Sequence, residues 1–349
     1  MHWTVLNRSV ELLEARGDCP KVCEMLAKGR AAAYLGAMAH DAPYYYKFGG
    51  DAFEEAAAFL HGEEGNDTLF PLKVAFDSAF RASSPESRTQ LASFMLGMFS
   101  HAVTDWNFHP LVFYFTGDYN HSDAKERKEA RRRHRLFETY LDSWLRQRVS
   151  FWNSYHLSAS IDELGEYRGE ICSLLDSVLV PEIFSYYHEE PPEGIPEVSK
   201  LRVRSVSGRW GGSLSYLVVL QSIFLSPLTG VVAHVVTKGV SRLAQYEVLF
   251  SYGRGTGLDC FDELLTYDNP ITGKSETVLV EDLLQRSVEE YTDILSRFEP
   301  ILSGEKSSSF DVLADCKGKS LNFGIVGAIS RDARYYSSRG FALPGLEIL

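Results

Sequence analysis

Apolar residues fall on every side of a helix drawn from Phe94 to Trp106, so this stretch has no wide polar face and predicts a helix buried on all sides, over about residues 90–106. Other segments carry a one-sided apolar pattern. VELLEARGDCPKVCEMLA and FEEAAAFLHG predict amphipathic helices, as does a long charged segment at 122–147 and another at 163–187. Gly49-Gly50 and GEEGND are breaks between them. HEEPPEGIPEVS, at 188–199, reads as a linker or surface loop from its Pro and Glu content. A soft boundary there divides a helical region 1–187 from a mostly helical region 200–349, which either stands alone or packs on the first as one domain. The pattern predicts an all-α fold, a multi-helix bundle.

The second half is patterned differently. Gly211 to Thr237 carries no formal charge, a length able to span a bilayer. Gln221, Ser226, Pro227, Gly230 and His234 interrupt it, and Pro227 then divides two core helices; lipid-surface contact is the third reading. GRGTGLD, from Gly253 to Asp259, lacks the spacing of a dinucleotide loop and reads as a turn. Thr277 to Phe298 predicts an amphipathic helix with Leu283, Leu284, Tyr291, Ile294 and Leu295 inward. GIVGAI in the Gly- and Ser-rich tail is a candidate short helix or strand.

The ionisable residues within the buried stretch carry the chemistry. His101, Asp105 and, just beyond it, His109 are spaced by four, on one stripe of the helix. A buried imidazole or carboxylate must be paired or metal-bound, because an isolated charge in a low dielectric is costly. His134 and Glu138 repeat the spacing beside Phe137, Leu141 and Leu145. Asp41 in GAMAHDAPYYY, His61 in AFLHGEEGND and His2 at the start of the chain are further candidates. Asp41 before Ala-Pro also fits ordinary turn chemistry, and a lone histidine on an apolar face is ordinarily a hydrogen-bonded core residue. Two His/carboxylate pairs on separate apolar helices are not accounted for that way. One zinc takes four protein ligands, or three and a water. Eight candidates exceed one ion, and about 12 Å of helical rise separates His101 from His109, so the spacing predicts a cluster of two or three zinc ions.

At these residues the chain resembles the zinc-dependent phospholipase C family, which includes bacterial phosphatidylcholine-hydrolysing enzymes and the N-terminal domain of the glycosylphosphatidylinositol-specific phospholipase D. The matching pieces, in family order, are HWTVLNRSVELL, GAMAHDAPYY, FLHGEEGND, GMFSHAVTDWNFHP and HRLFETYLD, over roughly residues 1–150. YDNPITGKSETVLVEDLLQRSVEEY also looks like a C-terminal segment of bacterial members. The resemblance implies a helical fold around a trinuclear zinc site. Asp41, His61, His101 and Asp105 match the residues holding the first zinc, and His109, His134 and Glu138 those of the second. His2 matches the histidine of the third, with Asp105 as bridge. In secreted members a processed N-terminal residue completes that third site; here Met1 alone precedes His2. His40 stands where the family often has proline, as a partner of the ligands or a surface residue. The implied reaction is hydrolysis of a phospholipid or other phosphodiester by zinc-activated water, with Asp41 as ligand and general base. A zinc nuclease or phosphatase on the same cluster, or a non-catalytic scaffold with structural zinc, are the alternatives.

Charge narrows the partners. The chain has 349 residues and a formal net charge of -12, which argues against nucleic acid, since phosphate-backbone binding needs a basic face. The one basic run, KERKEARRRHR from Lys125 to Arg135, fits either a solvated helix face with its interleaved Glu126 and Glu129 or contact with an anionic headgroup or membrane surface. Tyr44, Tyr45, Tyr46 and Trp106 are candidates to line a headgroup pocket or to pack in the core. Cys19, Cys23, Cys172, Cys260 and Cys316 suggest no disulfide framework. No charged-then-apolar leader opens the sequence, which predicts a cytoplasmic protein.

Overall fold

The longest of the described helices organises the fold. The computed structural model describes residues 1–46, 48–149, 156–186, 206, 208–225 and 258–343. The first elements are α1 (His2–Arg16), α2 (Pro20–Lys28), α3 (Arg30–Ala39), α4 (Ala42–Tyr45), α5 (Asp51–Leu60), α6 (Phe70–Phe80), α7 (Pro85–Thr116) and α8 (Ala124–Arg148). Ser84 caps α7 by accepting from the Ser87 N–H at 2.9 Å, and Pro85 sits at its first position, where no N–H is needed. Every residue of α7 from Leu91 to Phe113 is buried. Asp123 caps α8 in the same way, accepting from Lys125 N at 2.7 Å.

α7 continues past Pro110, beyond the expected end near Trp106. A proline within a helix removes the hydrogen bond to the carbonyl four residues back, here that of Trp106. Gly324 takes up the space beside this freed carbonyl: a Cβ on Gly324 would lie 2.4 Å from Trp106 O. Its φ of +68° also favours glycine.

α3 is built almost wholly of small residues, RAAAYLGAMA, and lies directly against α7. Gly36 and Gly97 form the crossing. A Cβ on Gly36 would stand 2.0 Å from Phe94 O, and one on Gly97 2.0 Å from Ala33 O. The two backbones therefore approach more closely than any larger pair would permit.

The helix Val280–Arg297 packs on α1 and α7. Leu283, Leu284, Tyr291, Ile294 and Leu295 are buried as their spacing predicts. Fully burying each aliphatic side chain contributes about 1.5–3 kcal/mol. Polar ties fix the register: Ser9 Oγ donates to Val288 O at 3.1 Å, and the buried Tyr291 hydroxyl to Leu96 O at 2.8 Å. The segment that follows returns to the first half of the chain. Buried Lys73 donates to Leu313 O and Cys316 O, Asp77 accepts from Ser309 N, and Leu321 N donates to His61 O at 2.9 Å.

Several elements differ from the sequence reading. Residues 163–187 are not one helix: Gly165, at φ +53°, separates Leu157–Leu164 from Tyr167–Leu174, which runs through a wider turn at Leu175–Leu179 into Val180–Tyr186. A two-stranded antiparallel hairpin, β1 (Leu265–Asp268) with β2 (Ser275–Val278), lies where no strand was expected. Asn269 shapes its turn by accepting from Ile271 N and Thr272 N, and Gly273 supplies a φ of +67°. GIVGAI is neither helix nor strand, and only Ile329 forms an isolated bridge, to Glu64. The expected linker at 188–199, Pro227, the rest of the uncharged run after Leu225 and Gly253 to Gly257 lie outside the described residues. No helix among the described residues is long and apolar enough to cross a membrane.

Candidate metal centre

Helix spacing delivers the first three side chains. His101, Asp105 and His109 project from one stripe of α7, with side-chain exposures of 0%, 2% and 6%. The Asp105 carboxylate is split between two groups. Its Oδ2 lies 2.9 Å from His101 Nε2 and 3.8 Å from His61 Nε2. Its Oδ1 lies 3.6 Å from His109 Nε2 and 3.5 Å from His2 Nε2.

The first group is Asp41, His61, His101 and Asp105. The α3–α7 crossing brings Ala37 O within 2.9 Å of His101 Nδ1. His61, at the end of α5, has its Nδ1 2.8 Å from Ala57 O. A carbonyl can only accept, so in both rings Nδ1 carries the proton and Nε2 is turned to the cluster. Asp41 Oδ1 lies 3.3 Å from His61 Nε2 and 3.8 Å from His101 Nε2. The second group is His109, His134 and Glu138. Glu138 Oε1 lies 3.2 Å from His109 Nε2 and 3.5 Å from His134 Nε2. Here Nδ1 of both histidines is buried with no hydrogen-bond partner.

Buried donor atoms left unsatisfied show what the arrangement fits. His101 Nε2 and Asp105 Oδ2 face each other at 2.9 Å as an ion pair, without the direction of a hydrogen bond. Ligand atoms 2.0–2.1 Å from a zinc ion stand roughly 3.3 Å apart in a tetrahedron. The separations in the first group, 2.9 to 3.8 Å, bracket that edge. The nitrogen and oxygen donors suit zinc, and the residues present fit the ion.

Without metal the charges settle on one another. Burial opposes a charge on His101, but the Asp105 and Asp41 carboxylates overcome it and raise the ring to about 9. Burial likewise opposes the charge on Asp105, but His101, His109 and His2 hold it well below the usual carboxylate range. His2 goes the other way, down to about 3, through burial and the neighbouring His101.

All eight residues singled out in the sequence meet here. His2 is anchored rather than frayed: its ring stacks on His101 at 4.1 Å between centroids, while the Met1 amine pairs with Asp142 at 2.5 Å. His40 is not a surface residue. It is fully buried and also stacks on His101, at 4.6 Å, with neither ring nitrogen bonded. The four aromatic candidates separate. Tyr44 stands 4.9 Å from the His61 ring and donates to Glu63, and Tyr45 lies in the field of Glu138 and Asp41. Tyr46 instead packs on Phe53 and Tyr216, and Trp106 turns away to donate to Glu290 at 2.6 Å. Two neighbours of the cluster were not foreseen, Glu63 and Tyr119, whose ring lies 5.3 Å from that of His134. Tyr119 follows the helix-ending Gly117, and nothing in its local pattern marks it.

A family model described as zinc dependent phospholipase C matches residues 1–180. No curated protein and no solved structure matches the chain. The matched region covers more than half of the molecule and includes every side chain of both donor groups, and the chain belongs to the zinc-dependent phospholipase C family.

Proposed function

We propose that the protein is a zinc-dependent phosphodiesterase acting on a phospholipid or a related diester. The observation that carries this reading is the pair of buried donor groups meeting at Asp105, with His101 Nε2 and Asp105 Oδ2 turned to each other without a directed hydrogen bond. In this reading Asp41, His61, His101 and Asp105 hold one zinc, His109, His134 and Glu138 a second, and His2 with Asp105 a third. Zinc so held supplies a water nucleophile at neutral pH and neutralises charge developing at phosphorus.

The chain's own groups do the rest. Asp41 and Glu138 are each 21% exposed, whereas His101 and Asp105 are at 0% and 2%, so the cluster opens to solvent along the Asp41–Glu138 edge. Asp41 on that edge is the general base, taking the proton of the attacking water. Burial works to raise its carboxyl, but His101 and His61 hold it down, so it is ionised and able to accept. Tyr44 and Tyr119 flank the opening, and the Tyr44 phenol, pushed well above its ordinary range by burial and by Glu63, stays a hydrogen-bond donor.

The test is zinc content per chain of protein purified without chelator, followed by hydrolysis of a panel of diesters. We expect two or three zincs and activity that a chelator removes and zinc restores. Asp41→Asn should keep the fold and lower kcat by about 10²–10⁴-fold. Zinc-loaded protein that cleaves no diester would refute the reading.

A further inference from the structure

The basic run on α8 separates into two kinds of arginine. Arg132 pairs with Glu129 at 2.7 Å. Arg133 is buried and donates to Thr116 O at 2.9 Å, and Arg127 donates to His121 O and Ser122 O. These three serve the helix and its approach loop. Arg131 and Arg135 do not. They are exposed, and among the described residues neither meets a carboxylate or a carbonyl. Each lies over a tyrosine ring instead: Arg131 Cζ is 5.8 Å from the Tyr119 centroid and Arg135 Cζ 5.6 Å from that of Tyr45.

Those two rings belong to the surroundings of the cluster. Tyr119 touches His134 and lies in the fields of Glu138, Arg135 and Arg131. Tyr45 lies in the field of Glu138 and Asp41. One turn of α8 separates the two arginines, and they share the helix face of His134 and Glu138. A guanidinium held over a ring face keeps its N–H groups for another partner, and those groups match phosphate and carboxylate oxygens. In a chain of net charge -12, two unpaired guanidiniums at the open edge of the cluster are a local exception.

We infer that Arg131 and Arg135 form an anion subsite beside the metal centre, taking a second anionic group, such as a phosphomonoester, that the substrate carries within a few bonds of its scissile diester. The inference builds on the phosphodiesterase reading and narrows it, from any diester to one bearing an additional negative charge. Arg131 and Arg135 are then specificity determinants, and Tyr119 and Tyr45 position them.

The experiment is calorimetric titration of the zinc-loaded protein with inositol 1-phosphate and inositol 1,4-bisphosphate. The parent should bind the bisphosphate about tenfold more tightly, equivalent to about 1.4 kcal/mol, with the preference shrinking as salt is raised. Arg131→Gln with Arg135→Gln should bring the ratio near one, at unchanged zinc content and far-ultraviolet spectrum. Arg131→Lys with Arg135→Lys should keep part of it, because the charge remains while the planar fork is lost. No preference in the parent, or a preference that survives the double Gln variant, overturns the inference. So does a double variant that loses only its adhesion to anionic vesicles, which would make the pair a membrane contact. An Arg-dependent preference in a protein that cleaves no diester would uphold the subsite while the phosphodiesterase reading fell.

Discussion

Replacing Gly97 by alanine tests the link between helix packing and the metal centre. The added methyl would sit 2.0 Å from Ala33 O and 2.9 Å from both Ala33 C and Ala37 N. These are backbone atoms of a buried helix, and no side chain can move aside to relieve them. Ordinary contact needs about 3.4 Å, so α3 must withdraw from α7 by on the order of 1 Å. The His101 Nδ1 to Ala37 O contact, 2.9 Å long, spans the same gap and would pass its useful limit. Overpacking of this kind costs about 1–3 kcal/mol, and the buried His101 N–H left without its acceptor about 1–3 kcal/mol more. We expect Gly97→Ala to destabilise the metal-free protein by about 3 kcal/mol in urea unfolding. Loss of an orienting partner on a histidine ligand also weakens metal binding by about 10–100-fold, so zinc affinity against a competing chelator should fall by that factor. Unchanged unfolding and unchanged zinc affinity would show that the close crossing does not set the ligand, and the argument would fail.

Gly324→Ala should cost about 1–3 kcal/mol, through its positive φ and its approach to Trp106 O, and thermal unfolding within error of the parent would refute this. Lys73→Met leaves Leu313 O and Cys316 O without their buried donor, so limited proteolysis should cut between residues 313 and 320 faster than in the parent. The metal-free protein should be most stable between about pH 6.5 and 9. His101, raised to about 9, contributes stability that is present below its unfolded value and is lost as pH rises through 9. Asp105, held low, and His2, lowered to about 3, both lose stability as pH falls, Asp105 because it must be protonated and His2 because the unfolded ring takes up its proton from about pH 6.5 downward. Urea midpoints measured from pH 5 to pH 10 check this, and a monotonic profile would contradict it. Stepwise chelation should release the zinc of the His109, His134 and Glu138 group first, because those rings lack the carbonyl partners that orient His61 and His101. Simultaneous release of all zinc would count against that order.

The clustering of five candidate residues was legible because helical spacing is a local property. Four-residue steps along α7 and α8 put His101, Asp105, His109, His134 and Glu138 on their stripes before any tertiary contact is considered. The inward face of Val280–Arg297 was legible for the same reason. The hairpin was missed although Asn269-Pro270 and Gly273 are turn residues, because its strands are only four residues long and adjoin a strong helical pattern. His40 could not be assigned from its neighbours, since its burial comes from stacking on His101, sixty-one positions away in the chain. The same limit applied to the basic run, where local pattern offered a solvated face or an anion contact and could not divide the arginines between them.

That division has a consequence for how the site is built. In the proposed reading α8 presents two kinds of group on adjoining positions of one face, ligands for a cation at His134 and Glu138 and donors for an anion at Arg131 and Arg135. Exposed guanidiniums beside a zinc cluster would feel a repulsion that solvent weakens. Tyrosine rings stand at this junction, offering each guanidinium a negative π-face while their hydroxyls remain neutral. Burial and Glu138 push the Tyr45 and Tyr119 phenols well above their ordinary range, so both stay protonated at neutral pH. Removing a ring should then cost more zinc affinity than removing the arginine above it: Tyr119→Leu takes away the ring that packs 5.3 Å from His134, whereas Arg131→Gln changes only an exposed side chain, and equal zinc affinities of the two variants against a competing chelator would refute this.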